Sequence, residues 1–168
     1  PMKNMTFDLA SMLTYITDRT KLIFIANPNN PTGTYINKQE LESFLRVATQ
    51  KRLIIAIDEA YIEFVTANDF PDALAYVLKY PNVVVFRTFS KAYGLAALRC
   101  GYIVAHPEII TYINKVRLPF NINLLASSAV LAALNDQEHL IKSKKLSVEG
   151  LQYYYKHFSR MGLAYWES

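Results

Sequence analysis

"LIIAIDEAYIEF", residues 53–64, opens with five consecutive apolar residues and turns acidic at Asp58. Three of those five are isoleucines and no polar residue interrupts them, so the run reads as a strand covered on both faces. Three other runs share this character: "LIFIA" (22–26), "VVVF" (83–86) and "YIVA" (102–105). Between the first two strands lies "KQELESFLRVATQK" (38–51), which sets Leu41, Phe44, Leu45 and Ala48 on one helical stripe. Asn37 ahead of it, with Glu40 three residues on, has the pattern of a capping box. Pro71 and Pro107 suit first-turn positions of helices, and 124–134 and 136–160 read as helices. Strands alternating with helices predict an α/β fold, a mostly parallel sheet flanked by helices. The final "GLAYWES" (162–168) reads as a strand just begun, which marks the chain as part of something longer.

A chain of 168 residues, 52% apolar, suffices for one domain with a sizeable core. Its net charge of +4 comes from acids and bases mixed along the chain. The densest basic run, "KSKKL" (142–146), fits a solvated helix face, so nucleic acid is not the expected partner. Cys100 is alone, which excludes an internal disulfide and thiolate clusters. His106, His139 and His157 lack ligand spacing, and no metal site is expected. No apolar run is long enough to span a bilayer, and "PMKNMTFDLA" lacks the core of a signal peptide. The expectation is a cytoplasmic protein without a membrane partner.

In open α/β sheets ligands gather beyond the carboxyl ends of the strands. Three of the four runs end there in polar chemistry. The first exits into "NPNNPTG" (27–33), where prolines and a glycine fix a turn and three asparagines offer amides. The second exits at Asp58. The third exits into "RTFSKAYG" (87–94), with Thr88, Ser90 and Lys91, and Arg99 follows Lys91 by eight positions. Each has a plain structural reading: a rigid connection, a cap at Asp58, a solvated Lys91, an Arg99 paired with a surface acid. Taken together, they form a donor set that suits one kind of ligand. Thr88, Ser90 and Arg99 would hold a phosphate. Lys91 would form a Schiff base with a carbonyl. A buried Asp58 would keep a ring nitrogen protonated, and Asn30 and Tyr61 would bond a phenolic oxygen. Pyridoxal phosphate carries all four groups.

"NPNNPTG", "DEAYIEF" and "RTFSKAYGLAALRCGY" closely resemble, in order and spacing, three motifs of the fold-type I aminotransferases, and among these the histidinol-phosphate aminotransferase group. The resemblance covers most of the chain. It implies that Lys91 is the residue bonded to the cofactor and the proton carrier, that Asp58 holds the pyridinium proton, that Asn30 and Tyr61 bond the phenolic oxygen, and that Thr88, Ser90 and Arg99 hold the phosphate. Nearby cations and partial desolvation would help Lys91 lose its charge. The implied reaction is transamination between an amino donor, histidinol phosphate, and a 2-oxo acid, 2-oxoglutarate, in a homodimer. Ala97 stands where the group has glycine. Family members are longer at both ends, so the chain resembles an interior fragment: 1–150 part of the cofactor-binding large domain with the start of a long connecting helix, 151–168 the end of that helix and the start of the small domain. Alone, such a fragment is expected to be inactive.

Other enzymes on the same scaffold are the nearest alternatives: threonine-phosphate decarboxylase, or an aromatic or aspartate-type aminotransferase. Glu63 and Phe64 after the tyrosine favour the histidinol-phosphate group. "LIIAIDEA" also looks like the strand and acid of a P-loop ATPase, but no G-x-x-x-x-G-K-[ST] accompanies it, nor G-x-G-x-x-G, and no serine has a lysine three residues on.

Overall fold

The computed structural model describes residues 1–168. All four apolar runs are strands, preceded by a small antiparallel hairpin, β1 (Met2–Lys3) with β2 (Thr6–Phe7), and a short helix α1 (Leu9–Thr14). These first elements escape a periodicity reading because two-residue strands have no period to show. β3 (Leu22–Ala26), β4 (Ile54–Asp58), β5 (Val83–Thr88) and β6 (Gly101–Ala105) form one sheet in that order. β3, β4 and β5 are parallel, with Ile25 beside Ile57 and Ile57 beside Val85. β6 runs antiparallel to β5, Thr88 facing Gly101. Its direction follows from the connection. Residues 89–100 hold only a 3-10 turn at Ala96–Leu98, whereas a parallel return usually runs through an α-helix.

α2 (Lys38–Ala48) buries Leu41, Phe44, Leu45 and Ala48, and Asn37 closes the expected capping box with Glu40. α3 (Ala73–Lys79) is capped by Asp72, so Pro71 precedes the cap instead of opening the first turn. Pro107 does open α4 (Pro107–Val116). α1, α2 and α3 pack on the sheet face carrying Ile23, Ile25, Ile55, Ile57, Val83 and Val85. The other face is less covered than the unbroken apolar runs suggest. On the edge strand β3, Phe24 is 60% exposed, its ring 6.3 Å from that of Phe86.

α5 (Leu124–Asn135) and α6 (Gln137–Arg160) match the expected helices, and α6 passes residue 150 without a break. Residues 163–168 form no strand. They lack a neighbouring strand to pair with and turn back on α6, where the Tyr155 hydroxyl bonds the Ser168 carbonyl at 3.0 Å. No helix is long and apolar enough to cross a membrane.

Candidate functional site

The parallel strands bring three carboxyl ends to one edge of the sheet, and the reversal of β6 brings its amino end there too. Arg99 therefore arrives beside Thr88, where a parallel β6 would have carried it to the opposite edge.

At the exit of β3 the three asparagines divide their work. Asn27, 1% exposed, clasps Ile36 from both sides: the Ile36 N–H donates to its Oδ1 at 2.7 Å, and its Nδ2 donates to the Ile36 carbonyl at 3.2 Å. Asn29 donates to the Thr32 hydroxyl at 2.8 Å, and its backbone bonds both Gly33 and Thr34. Gly33 takes φ +70°, a left-handed conformation that glycine adopts freely. Two amides thus build the loop. The third, on exposed Asn30, reaches out to donate to the Tyr61 hydroxyl at 3.1 Å.

At the exit of β4, Asp58 is half-buried, less enclosed than its apolar flank suggests. Its Oδ1 accepts from the Ala60 N–H at 3.0 Å, so it does secure the following turn. The sequence reading passed over its neighbour. Glu59 is 1% exposed, and its Oε2 accepts from Arg87 Nε at 2.8 Å and lies 2.7 Å from Nη2. Burial pushes the Glu59 carboxyl up, while the hydrogen bonds and charge of Arg87 pull against it. Glu63, on the 3-10 turn Ile62–Phe64, is also pushed up by burial, and its Oε2 is buried without a partner.

At the exit of β5, buried anchors alternate with polar groups. Phe89, Ala92 and Cys100 are buried, and Phe89 and Cys100 pack with Ala126 of α5. Between these anchors, Ser90 is half-buried and Lys91 and Arg99 are exposed. The Thr88 hydroxyl donates to the Cys100 carbonyl at 3.3 Å and accepts from the Ser90 N–H at 3.1 Å. Lys91 Nζ lies 5.1 Å from the centre of the Tyr61 ring, within cation–π reach. Arg99 sits at φ +53°, a left-handed conformation that costs a non-glycine residue about 1 kcal/mol. Its Nη1 donates to the Ala96 carbonyl at 2.8 Å, and it forms no ion pair with any acid.

Tyr61 therefore contacts both Asn30 and Lys91, while Asp58, Thr88, Ser90 and Arg99 lie on the same edge. The desolvation expected for Lys91 is not supplied by these residues, which leave it exposed. The residues that sequence reading missed are Asn27, Glu59 and Arg87. Asn27 and Arg87 directly follow an apolar run and Glu59 lies one residue beyond another, and a polar side chain that such a position carries into the core needs a hydrogen-bonding partner there. A cavity of about 590 Å³ shares Asn30 and Tyr61 with the site and is otherwise lined mainly by the rest of the β3-exit loop, by Tyr35, by residues 64–67 and by α6, without Asp58, Thr88, Lys91 or Arg99. Chemically, the edge offers an amine, a hydroxyl–amide pair, a carboxylate, two further hydroxyls and a guanidinium. That set fits the aldehyde, phenolic oxygen, pyridinium and phosphate of pyridoxal phosphate.

The family described as "Aminotransferase class I and II" matches residues 1–168. The histidinol-phosphate aminotransferase of Moorella thermoacetica is 50% identical over 166 residues, covering 98% of this chain and 43% of that protein. That of Caldicellulosiruptor saccharolyticus is 45% identical over 168 residues, covering 100% of this chain and 47% of that protein. The crystal structure of histidinol-phosphate aminotransferase from Sinorhizobium meliloti in complex with pyridoxal-5'-phosphate superposes with a TM-score of 0.88 at 30% identity, covering 98% of this chain and 44% of that one. The chain thus spans a little under half the length of these curated relatives.

Proposed function

This chain belongs to the class I and II aminotransferase family, and from that premise we propose that the intact protein is a pyridoxal-phosphate-dependent aminotransferase acting between histidinol phosphate and 2-oxoglutarate in histidine biosynthesis. The observation that carries this reading is the meeting of Lys91, Tyr61 and Asn30 on the sheet edge that also holds Asp58, Thr88, Ser90 and Arg99. The specificity follows the identity of 45–50% to the two histidinol-phosphate aminotransferases described above.

Pyridoxal phosphate, when bound, supplies an electron sink that lets the substrate Cα–H bond break. The chain's own residues do the rest. Lys91 tethers the cofactor aldehyde and, once displaced, carries the proton between the substrate α-carbon and the cofactor. Asp58 offers Oδ2, which has no hydrogen bond from the protein, to the ring N–H. Asn30 and Tyr61 bond the phenolic oxygen. Thr88, Ser90 and Arg99 hold the phosphate, Arg99 as a permanent charge with a fork of donors. In the same reading the protein is a cytoplasmic homodimer. Residues 1–150 belong to its cofactor-binding domain and 151–168 lead into a smaller one. Residues 1–168 alone are inactive.

Titration of the intact protein with pyridoxal phosphate tests this. A yellow, borohydride-reducible adduct on Lys91 is expected, absent in Lys91→Ala, with turnover on histidinol phosphate exceeding that on threonine phosphate. An adduct persisting at the same site in Lys91→Ala overturns the cofactor assignment, and faster turnover of threonine phosphate overturns the substrate.

A further inference from the structure

We infer that Glu59 and Arg87 are a positioning pair that sets the two halves of the site against each other: Asp58 and Tyr61 on the β4 exit, and Thr88, Ser90 and Lys91 on the β5 exit. The inference rests on the aminotransferase reading above and adds to it two residues that touch no reacting group.

Three observations carry it. The first is where the pair sits along the strands. The Glu59 N–H donates to the Phe86 carbonyl at 2.9 Å, which is the last backbone rung between β4 and β5. Beyond that rung no hydrogen bond joins residues 60–64 to residues 88–94. The Glu59–Arg87 contact is therefore the final hydrogen-bonded tie between the two exits, beyond which only the Tyr61 ring and Lys91 approach each other, and it lies next to Asp58 on one strand and Thr88 on the other.

The second observation is which face the pair uses. Successive strand residues alternate faces. Glu59 and Arg87 continue the face of Ile57 and Val85, which packs against the helices, whereas Asp58 and Thr88 continue the opposite one. Arg87 also stands opposite Tyr102 of β6 in the register. The pair thus grips the strand ends from behind and leaves the reactive side chains unobstructed in front.

The third is the chemistry of the tie. A buried ion pair is a poor source of stability, because apolar residues of similar volume commonly serve as well or better. It does offer direction. Glu59 is 1% exposed and the Arg87 side chain 20%, and two guanidinium nitrogens converge on one carboxylate oxygen at 2.7 and 2.8 Å. Two donors on a planar group fix the angle as well as the distance, and the turn that carries Tyr61 to Asn30 and Lys91 begins one residue later, at Ala60.

Glu59→Leu/Arg87→Met separates positioning from stability, since it leaves neither member of the pair charged without the other; a Glu63→Gln background removes the one further carboxyl that Arg87 acts on. In the intact protein three quantities are measured: the thermal midpoint, the pyridoxal-phosphate dissociation constant by absorbance titration, and the visible circular dichroism of the bound cofactor, which reports its orientation. Amide hydrogen exchange of residues 60–64 is followed in the cofactor-free protein. The expected result is a thermal midpoint near that of the parent, a dissociation constant raised about tenfold, an altered dichroism band and faster exchange. Glu59→Gln keeps an acceptor for Arg87 and is expected to recover most of the affinity. Should the double variant fail to fold, Glu59→Ala is compared with Glu59→Gln on the same readouts. Parental affinity, dichroism and exchange in the double variant, or in Glu59→Ala in its place, overturn the inference alone. Absence of any adduct at Lys91 in the parent overturns the aminotransferase reading and the inference with it.

Discussion

The amide of Asn30 and the hydroxyl of Tyr61, 31 residues apart, are joined by a 3.1 Å hydrogen bond that couples the exit of β3 to the exit of β4. The ammonium of Lys91 lies 5.1 Å from the same tyrosine ring, so one side chain touches all three strand exits. Tyr61→Phe keeps the ring and removes the hydroxyl. In the intact protein the pyridoxal-phosphate dissociation constant is expected to rise about fivefold to tenfold, the effect of roughly 1 kcal/mol. Absorbance titration checks this, and the urea midpoint of the cofactor-free protein should hardly move.

Asn27 and Asn30 are predicted to behave oppositely. Asn27→Ala removes both hydrogen bonds to Ile36 and leaves that buried N–H and carbonyl without partners. The expected loss is about 2–4 kcal/mol of unfolding free energy. Asn30→Ala, at an exposed position, should stay within about 0.5 kcal/mol and act on cofactor affinity instead. Paired urea denaturation and cofactor titration would show the crossover; equal losses of stability would contradict it.

Gly101 begins β6 opposite Thr88, and a Cβ there would lie 2.8 Å from the Arg87 carbonyl oxygen. Backbone cannot yield as a flexible side chain can. Gly101→Ala is therefore expected to force β5 and β6 apart at the site edge, at about 2 kcal/mol, seen as a lowered thermal midpoint. Because Arg99 and Thr88 flank the strain, affinity for the cofactor phosphate should fall as well.

Glu63 predicts a pH effect whose sign is set by burial. Its carboxyl is pushed above its usual value near 4.5, chiefly by desolvation, against the pull of Arg87 and Lys144. The folded chain therefore holds this proton more tightly than the unfolded chain does. Its contribution to stability is greatest below the unfolded value and declines as pH rises from there through the raised folded value. Glu63→Gln should flatten that decline and be the more stable form, relative to the parent, at neutral pH. Urea midpoints at several pH values across this window test it; a steeper decline in the variant would contradict the assignment.

Much of the fold is legible because its signals are local. Uninterrupted apolar runs at Leu22–Ala26 and Val83–Phe86 mark strands, and Asn37 with Glu40 marks a helix start. What escaped reading depends on relationships across the chain. Asn30 was legible as the partner of Tyr61, but the building roles of Asn27 and Asn29 show only when the loop closes onto Ile36 and onto Thr32 and Thr34. Glu59 and Arg87 are 28 residues apart and announce each other only once β4 and β5 lie side by side. Lys91 is exposed among these residues, and exposure is set by everything packed around a residue, which no pattern of neighbours in sequence encodes. Direction in β6 was within reach, since the connection 89–100 shows no helical pattern and a parallel crossover usually runs through a helix.

The reversal at β6 has a consequence for how this protein can change over time. Both ends of the stretch from Phe89 to Cys100 are held by neighbouring paired residues, Thr88 opposite Gly101, so its length acts as a caliper between the amine of Lys91 and the guanidinium of Arg99. Surface loops elsewhere can drift in length at little entropic cost. A residue gained or lost here either buckles the span or slips the strand, and a slip of one residue turns every side chain of β6 to the wrong face. The number of residues in this stretch is therefore under a constraint of its own, one that exposed positions such as Ala96 and Ala97 do not share in their side chains.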